Sequence, residues 1–365
     1  MGERLFGLPT VLGEIITGII IGPFALGYYI FPTEGIFTPL TTQTPVPATL
    51  YMFGQVGVVI LLFYIGLESD INKFIKGSFY GIITAISEGT MSFLLVTLFV
   101  YWYSKDLLTS LFMGAILAST SIGITVRILK DLKKLDSREG MGILLIGVFD
   151  DIIGIIFFIT VMNIASNKFN IQSIILTIIE VIVFIVIFII IGTKLDGWIS
   201  RTLGLFKHKE TRFAIVITIL FLLTVLTIQL GLTMVLGSFI FGLALSKIKQ
   251  KDEILEDLKG LYEFFVPIFF VTVGMMMNLA KIIPSLVITL IILVGAYLGK
   301  VVGAAIPSMY FGFSVKESFR IGNALLPRAE VPLVVSSIAL VQGFISEKKQ
   351  RCTVWYRCGV YGAID

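Results

Sequence analysis

IQSIILTIIEVIVFIVIFIIIGT, residues 171–193, carries a single ionisable side chain, Glu180. A run this long and apolar matches the roughly 20 residues a helix needs to cross a hydrocarbon core of about 30 Å. A membrane strand would instead alternate polar and apolar residues over about 10 positions, and no alternation is present here. Lipid offers no partners to backbone polar groups, so only helices or closed barrels can span it. The stretch therefore reads as a membrane helix and sets the class of the fold.

Outward from it, 11 hydrophobic segments are readable, at 8–30, 50–68, 79–103, 107–128, 140–165, 171–194, 212–229, 231–247, 260–279, 284–310 and 316–345. Hydrophobic residues make up 56% of the 365 and charged residues only 14%, where a soluble domain carries about 25% charged residues. The first segment is too long and Gly-rich for a signal-peptide core and lacks a small-residue cleavage site. Cys352 and Cys358 match no zinc spacing and read as incidental thiols. His208, in the basic stretch KHKE, reads as a solvated loop residue.

The loops orient the chain. Those after the even-numbered segments hold 17 Lys and Arg, against three (Lys105, Lys168 and Lys281) after the odd-numbered ones. Positive loops stay inside, so the even-side loops and the N-terminus with Arg4 are expected to be cytoplasmic in a multi-pass protein of the cell membrane. This bias accounts for the net charge of +4, and no nucleic-acid partner is implied. There is no G-x-x-x-x-G-K-[ST] loop, which argues against ATP-driven transport.

A repeat is visible. Residues 7–18, GLPTVLGEIITG, and 231–242, GLTMVLGSFIFG, both fit G-L-x-x-V-L-G-x-x-x-x-G. Segment 1 starts inside and segment 8 outside, so the repeat is inverted, an arrangement typical of secondary transporters. A weaker echo joins Gly66-Leu67-Glu68 to Gly274-Met275-Met276 at an offset of 208. The same offset places a partner for segment 5 near 349, where KKQRCTVWYRCGVYGAID is no spanning helix. The expectation is that a twelfth helix is missing or replaced there, by truncation or a shifted reading frame.

Ionisable groups in membrane helices are costly and mark ion or proton pathways. Asp150 and Asp151 sit together near the middle of segment 5. Neighbours on a helix point about 100° apart, so the two can do different jobs. Two carboxylates this close do not both ionise cheaply, which suits a site holding a proton or a hard, oxygen-seeking cation such as Na+, but not both at once. Lys300 lies at similar depth in segment 10 and needs an anionic partner, with Asp150 and Asp151 as candidates. Segment 4 carries Ser119-Thr120-Ser121-Ile122-Gly123-Ile124-Thr125, which suits either an interrupted helix or ordinary packing. Segment 11 carries Leu326-Pro327-Arg328-Ala329-Glu330-Val331-Pro332, whose two prolines and two charges oppose a continuous helix. Thr120 plus the offset of 208 is 328, so the two interruptions occupy matching repeat positions. Arg328 and Glu330 read first as structural charges neutralising each other or the broken ends. Glu14, Glu88 and Glu180 lie within segments without an evident role.

The Asp-Asp pair, ASTSIGIT, Lys300 and LPRAEVPLV together resemble the monovalent cation:proton antiporter-2 family, over roughly residues 5–345, and most closely its electrogenic sodium/proton branch; the potassium-efflux branch usually has Gln-Asp at the pair. The resemblance implies an all-α membrane protein of about 11 transmembrane helices with inverted-topology repeats and two broken, crossing helices, segments 4 and 11. It implies a homodimer, with panel helices at 1–68 and 212–279, an ion-transporting core at 79–165 and 284–345, a linker helix at 171–194 and an anomalous tail at 346–365. By position, Asp151 is the implied ion- and proton-binding carboxylate, with Na+ held at Asp151 and Asp150. Asp150 is the implied partner of Lys300 until the ion binds. Thr120 and Ser121 fall at the crossing, and Arg328 and Glu330 match the charged pair beside the second break. Relatives carry one helix before the first segment and one after the eleventh.

The expected activity is exchange of Na+ (or Li+) for H+ by alternating access, electrogenic if two protons move per sodium, with no cofactor. Potassium/proton exchange or gated potassium efflux is the nearest rival. A channel or a non-transporting sensor is more distant, and no second catalytic motif or metal cluster supports a membrane-embedded enzyme.

Overall fold

The computed structural model describes residues 10–27, 46, 48–165, 171–230, 232–277 and 286–327. Among them every regular element is a helix. These are α1 (Thr10–Ile21), α2 (Ala48–Glu68), α3 (Ile71–Ser104), α4 (Leu107–Ala118), α5 (Ile122–Asp131), α6 (Arg138–Ala165), α7 (Ile171–Lys194), α8 (Asp196–Gly204), α9 (Lys209–Gln229), α10 (Met234–Leu245), α11 (Lys251–Met275), α12 (Leu286–Tyr310) and α13 (Val315–Ala324). Seven spans among the described residues are long and apolar enough to cross a membrane, with Leu107–Asp131 taken as one, or eight if the bent pair at α7 and α8 is counted.

Besides segment 4, which is interrupted at residues 119–121, four of the 11 expected segments differ from a simple span. Within the described residues, segments 1 and 8, which carry the repeat motif, hold the helices Thr10–Ile21 and Met234–Leu245. In segment 8 the Thr233 side chain caps the helix start by accepting from the Leu236 N–H, and the helix closes at Ser246. Segment 6 runs on past Lys194 into α8 through a bend of 68°. Segment 11 begins as α13, a polar ten-residue helix opened by a Ser314–Glu317 capping box and ended at Ala324, ahead of Pro327. Arg328, Glu330, the rest of segment 11, the tail with Cys352 and Cys358, and the first three residues of the 7–18 motif lie outside the described residues.

The chain divides into two compact units, Met1–Lys76 with Ile179–Met276 and Gly77–Ile178 with Met277–Asp365. In the first unit, α1 lies against α11 and α10 against α2, and the two contacts are built alike. A Cβ on Gly18 would come 3.0 Å from the Gly274 Cα, and a Cβ on Gly242 would come 3.1 Å from the Gly66 Cα. Gly18 and Gly242 are the last residues of the two motif copies, and Gly66 and Gly274 are the echo pair. Small residues are what allow helix backbones to approach this closely where lipid gives no hydrophobic drive. Phe53 against Phe265 and Tyr64 against Tyr262 fill the seam between α2 and α11.

In the second unit α3 is the central element. Val96 and Val100 pack with Met113, Ile116 and Leu117 of α4 and with Ile292 and Ala296 of α12. Phe93 stacks on Phe157 of α6, with ring centroids 4.5 Å apart. At one end of the unit, Arg138 donates to the carbonyls of Phe311 and Gly312 at 3.1 and 3.0 Å, where Gly312 takes a positive φ of 80° that only glycine adopts at little cost. Arg320 of α13 pairs with Glu139 at 3.1 Å. These contacts tie the start of α6 to the turn between α12 and α13.

Candidate functional site

The site is assembled in the second unit from α3, α6, α12 and the interruption between α4 and α5. A Ser-Thr-Ser run offers its own hydroxyls to the backbone and competes with the helix ladder. Accordingly α4 ends at Ala118, Ser119 and Ser121 are extended (ψ 153° and 103°), and α5 restarts at Ile122. The interruption frees backbone groups from the helix ladder, and several find local partners. Ser92 donates its hydroxyl to the Leu117 carbonyl at 2.8 Å. The Thr120 N–H donates to Asp150 Oδ2 at 2.5 Å. Ser121 N–H reaches the Pro327 carbonyl at 2.9 Å. Thr120 and Thr125 hydroxyls donate to the carbonyls of Leu325 and Ala324 at 3.0 and 2.7 Å. The end of α13 is thereby stitched to the interruption in segment 4.

Glycines on α6 hold this arrangement in place. Gly147, Asp150 and Gly154 share one helix face, at spacings of three and four. A Cβ on Gly154 would come 2.6 Å from the Ser119 Cβ, and one on Gly147 would come 2.8 Å from the Ile122 side chain. The interruption therefore seats on α6 immediately around Asp150, which is why a backbone N–H can reach the carboxylate.

Asp150 and Asp151 stand at the middle of the 28-residue α6 and are both buried. Lys300, fully buried on α12, lies 3.0 Å from each carboxylate oxygen of Asp150. It also forms an ion pair with Glu88 of α3, which is itself fully buried. Sequence reasoning noticed Glu88 but gave it no role. The signal that could have found it is Gly299-Lys300-Val301-Val302-Gly303, a G-x-x-x-G on a membrane helix, which marks a close helix neighbour. That neighbour is α3: a Cβ on Gly303 would come 2.6 Å from the Glu88 Cα, and one on Gly299 2.7 Å from the Ser92 N. With the backbones this close, the Lys300 chain between the two glycines reaches both carboxylates.

The structure thus brings together Asp150, Lys300 and the Thr120 backbone, adds Glu88, and places Asp151 and Ser121 as the chain neighbours of Asp150 and Thr120. Arg328 and Glu330 lie outside the described residues, and Glu14 and Glu180 belong to the first unit. Chemically, the assembly is a buried ammonium shared between carboxylates on two helices, a further carboxylate next to one of them, and hydroxyl and carbonyl oxygens of an interrupted helix. Hard monovalent cations take such oxygens, and a carboxylate can hold a proton in place of a cation.

Comparison with known proteins places the chain in a family. The chain is 30% identical over 370 aligned positions to the high-affinity Na+/H+ antiporter NhaS3 of a Synechocystis species, covering 92% of this chain and 78% of that protein. It is 30% identical over 348 positions to the probable Na+/H+ antiporter GerT of Bacillus cereus, covering 94% and 87%. Its fold resembles that of the sodium proton antiporter MjNhaP1 of Methanocaldococcus jannaschii, with a TM-score of 0.66 at 17% identity over 98% of this chain and 92% of that one. The family model described as sodium/hydrogen exchanger, transmembrane, matches residues 2–356, and the chain belongs to that family.

Proposed function

We propose that this protein exchanges Na+ (or Li+) for H+ across the membrane by alternating access, with the ion and the proton competing for Asp151 and Asp150. The observation that carries the reading is Lys300, fully buried in mid-helix and bonded to Asp150 and Glu88 at once. A buried charge with a single partner is a static feature. A buried ammonium with two carboxylate partners can let one go and stay compensated by the other. Asp150 can then turn from Lys300 toward an arriving cation beside Asp151, while Glu88 keeps Lys300 in place. Thr120 and Ser121, at the interruption, supply neighbouring oxygens and hold the backbone that touches Asp150. The exchanger family and the antiport named for the relatives favour sodium as the cation.

In this reading the second unit is the moving core, and the helices at 1–68 and 212–279 form a static, dimer-forming panel. Segment 171–194 links the two. The matched glycine contacts of the two motif copies support inverted-topology repeats. The N-terminal and even-side loops face the cytoplasm of a cell-membrane protein, as their Lys and Arg excess favours. No cofactor takes part; Na+ and H+ are the cargo.

The test is reconstitution in proteoliposomes with an imposed pH gradient. NaCl, LiCl and KCl are added in turn, with Asp151→Asn alongside as a folded control. Collapse of the gradient by Na+ or Li+, lost in Asp151→Asn, is the expected result. Collapse by KCl alone would reassign the protein to potassium exchange. Collapse that survives Asp151→Asn would remove that residue from the mechanism.

A further inference from the structure

We infer that α8 lies in the headgroup layer of the membrane and binds anionic phospholipid through Arg201, with Trp198 and Leu205 seated in the bilayer beside it. The chain turns by 68° as apolar α7 ends at Lys194, so α8 leaves the direction of the preceding span at the membrane boundary. Its rotation about its own axis is fixed. Ser200 and Leu203 are buried. The Ser200 hydroxyl accepts from the Lys249 N–H at 3.1 Å, and the Ser200 carbonyl accepts from Gln250 Nε2 at 2.9 Å. The turn that follows is pinned too, since Arg212 donates to the Phe206 carbonyl at 2.8 Å while it pairs with Glu253.

Held this way, the outward face carries Trp198, Arg201 and Leu205 at spacings of three and four, which align them along one ridge. Trp198 is 64% exposed and Leu205 74%, and Arg201 is exposed between them. Neither bulk phase suits that ridge. Water leaves an indole and a leucine uncovered, and hydrocarbon leaves a guanidinium without partners. The headgroup layer suits both, because Trp prefers the interface and Arg matches phosphate oxygens. The local charge selects the headgroup. Lys194, Arg201 and Lys207 are exposed around α8 with Asp196 and Glu210 as the acids nearby in the chain, whereas Lys209 and Arg212 are already committed to Asp257 and Glu253. None of this depends on which ion the protein carries.

The protein has three tryptophans, Trp102, Trp198 and Trp355. The double variant Trp102→Phe/Trp355→Phe leaves Trp198 as sole reporter in vesicles doped with phosphatidylcholine or phosphatidylglycerol brominated near the ester end of the chain. The expected result is quenching by both lipids, with phosphatidylglycerol preferred. Arg201→Ala should cut that preference about five-fold, the equivalent of about 1 kcal/mol for one basic residue at an anionic surface, and Arg201→Lys should largely restore it. Equal quenching by the two lipids, unchanged in Arg201→Ala, overturns the headgroup assignment. Quenching by aqueous iodide and acrylamide but by neither lipid shows α8 facing water and overturns the placement. Protection from every quencher shows the ridge covered by protein, as by a second copy of the chain, and overturns it equally.

Discussion

Lys300→Met in combination with Glu88→Gln tests whether the three buried charges act as one unit. Lys300 Nζ stands 3.0 Å from both oxygens of Asp150 and is ion-paired with Glu88, and all three side chains are fully buried. Methionine keeps most of the lysine volume and removes the charge, leaving two carboxylates without their cation. Breaking a buried pair by removing one partner costs about 3–5 kcal/mol, because the other charge is left uncompensated. With two carboxylates sharing that penalty, neutralising Glu88 should return roughly half, about 2 kcal/mol. Glu88→Gln alone acts oppositely. It removes one charge-assisted contact from Lys300, worth about 1.5–3 kcal/mol, and leaves Asp150 as remaining partner. The same substitution is therefore expected to destabilise the parent protein and to stabilise the Lys300→Met variant. Melting in detergent, at about 2–4 °C per kcal/mol for a domain of a couple of hundred residues, reads this as a sign change of several degrees. Equal losses from Glu88→Gln in both backgrounds would show that Glu88 and Lys300 do not share an energetic unit, and would refute the cluster.

Four further outcomes follow from the packing. Gly303→Ala drives a Cβ to 2.6 Å from the Glu88 Cα, so α12 must move from α3. A stability loss of about 1–3 kcal/mol together with impaired exchange in proteoliposomes is expected. Gly260→Ala is the counter-case: it lies inside α11 with nothing within 4 Å of an added Cβ, and should raise the melting point by the equivalent of about 0.5–1 kcal/mol with exchange unaltered. Thr120→Val deletes the 3.0 Å bond to the Leu325 carbonyl but keeps the backbone bond to Asp150, so a cost of about 1 kcal/mol and a raised KM for Na+ with a smaller change in kcat are expected. Arg320→Ala removes an ion pair whose arginine is 64% exposed; melting should change by less than about 1 kcal/mol.

Most of the helix order was legible because hydrophobic run length is a strong signal in a membrane protein, and segments 2, 3, 5, 7, 9 and 10 all coincide with long helices, while segment 4 coincides with the interrupted pair α4 and α5. What escaped has physical causes. The helix at segment 8 is shorter than its apolar run, because hydrophobicity does not report the Thr233 cap that opens it or the Ser246 cap that closes it. Helix α8 was hidden in a stretch read only as a basic loop, since one amphipathic face over nine residues is too short to stand out beside spans three times its length. Asp150, Asp151 and Lys300 stood out from sequence because a charge in an apolar run is conspicuous. Glu88 was equally conspicuous, yet its partner sits 212 residues away, and only the approach allowed by Gly299 and Gly303 makes them neighbours. The hydroxyl run at 119–121 was ambiguous for a similar reason. Whether such a run packs or interrupts depends on what meets the freed backbone groups, and here Asp150, Leu325 and Pro327 do.

The charges at the site also argue for exchange over passive binding. Glu88, Asp150 and Asp151 offer three negative charges and Lys300 one positive, so among these four groups the fully ionised set is short by two positive charges. Buried carboxylates need compensating positive charge, and in the proposed mechanism a proton or a metal cation supplies part of it. Because the Thr120 N–H and Lys300 already occupy Asp150, in the proposed mechanism an incoming cation gains a full carboxylate only by displacing a proton or loosening the Lys300 contact. Occupancy by one species thus weakens the hold on the other through the same oxygens. That competition is the thermodynamic content of coupled exchange. It needs no second site, only a lysine that can lean on Glu88 while Asp150 is engaged elsewhere.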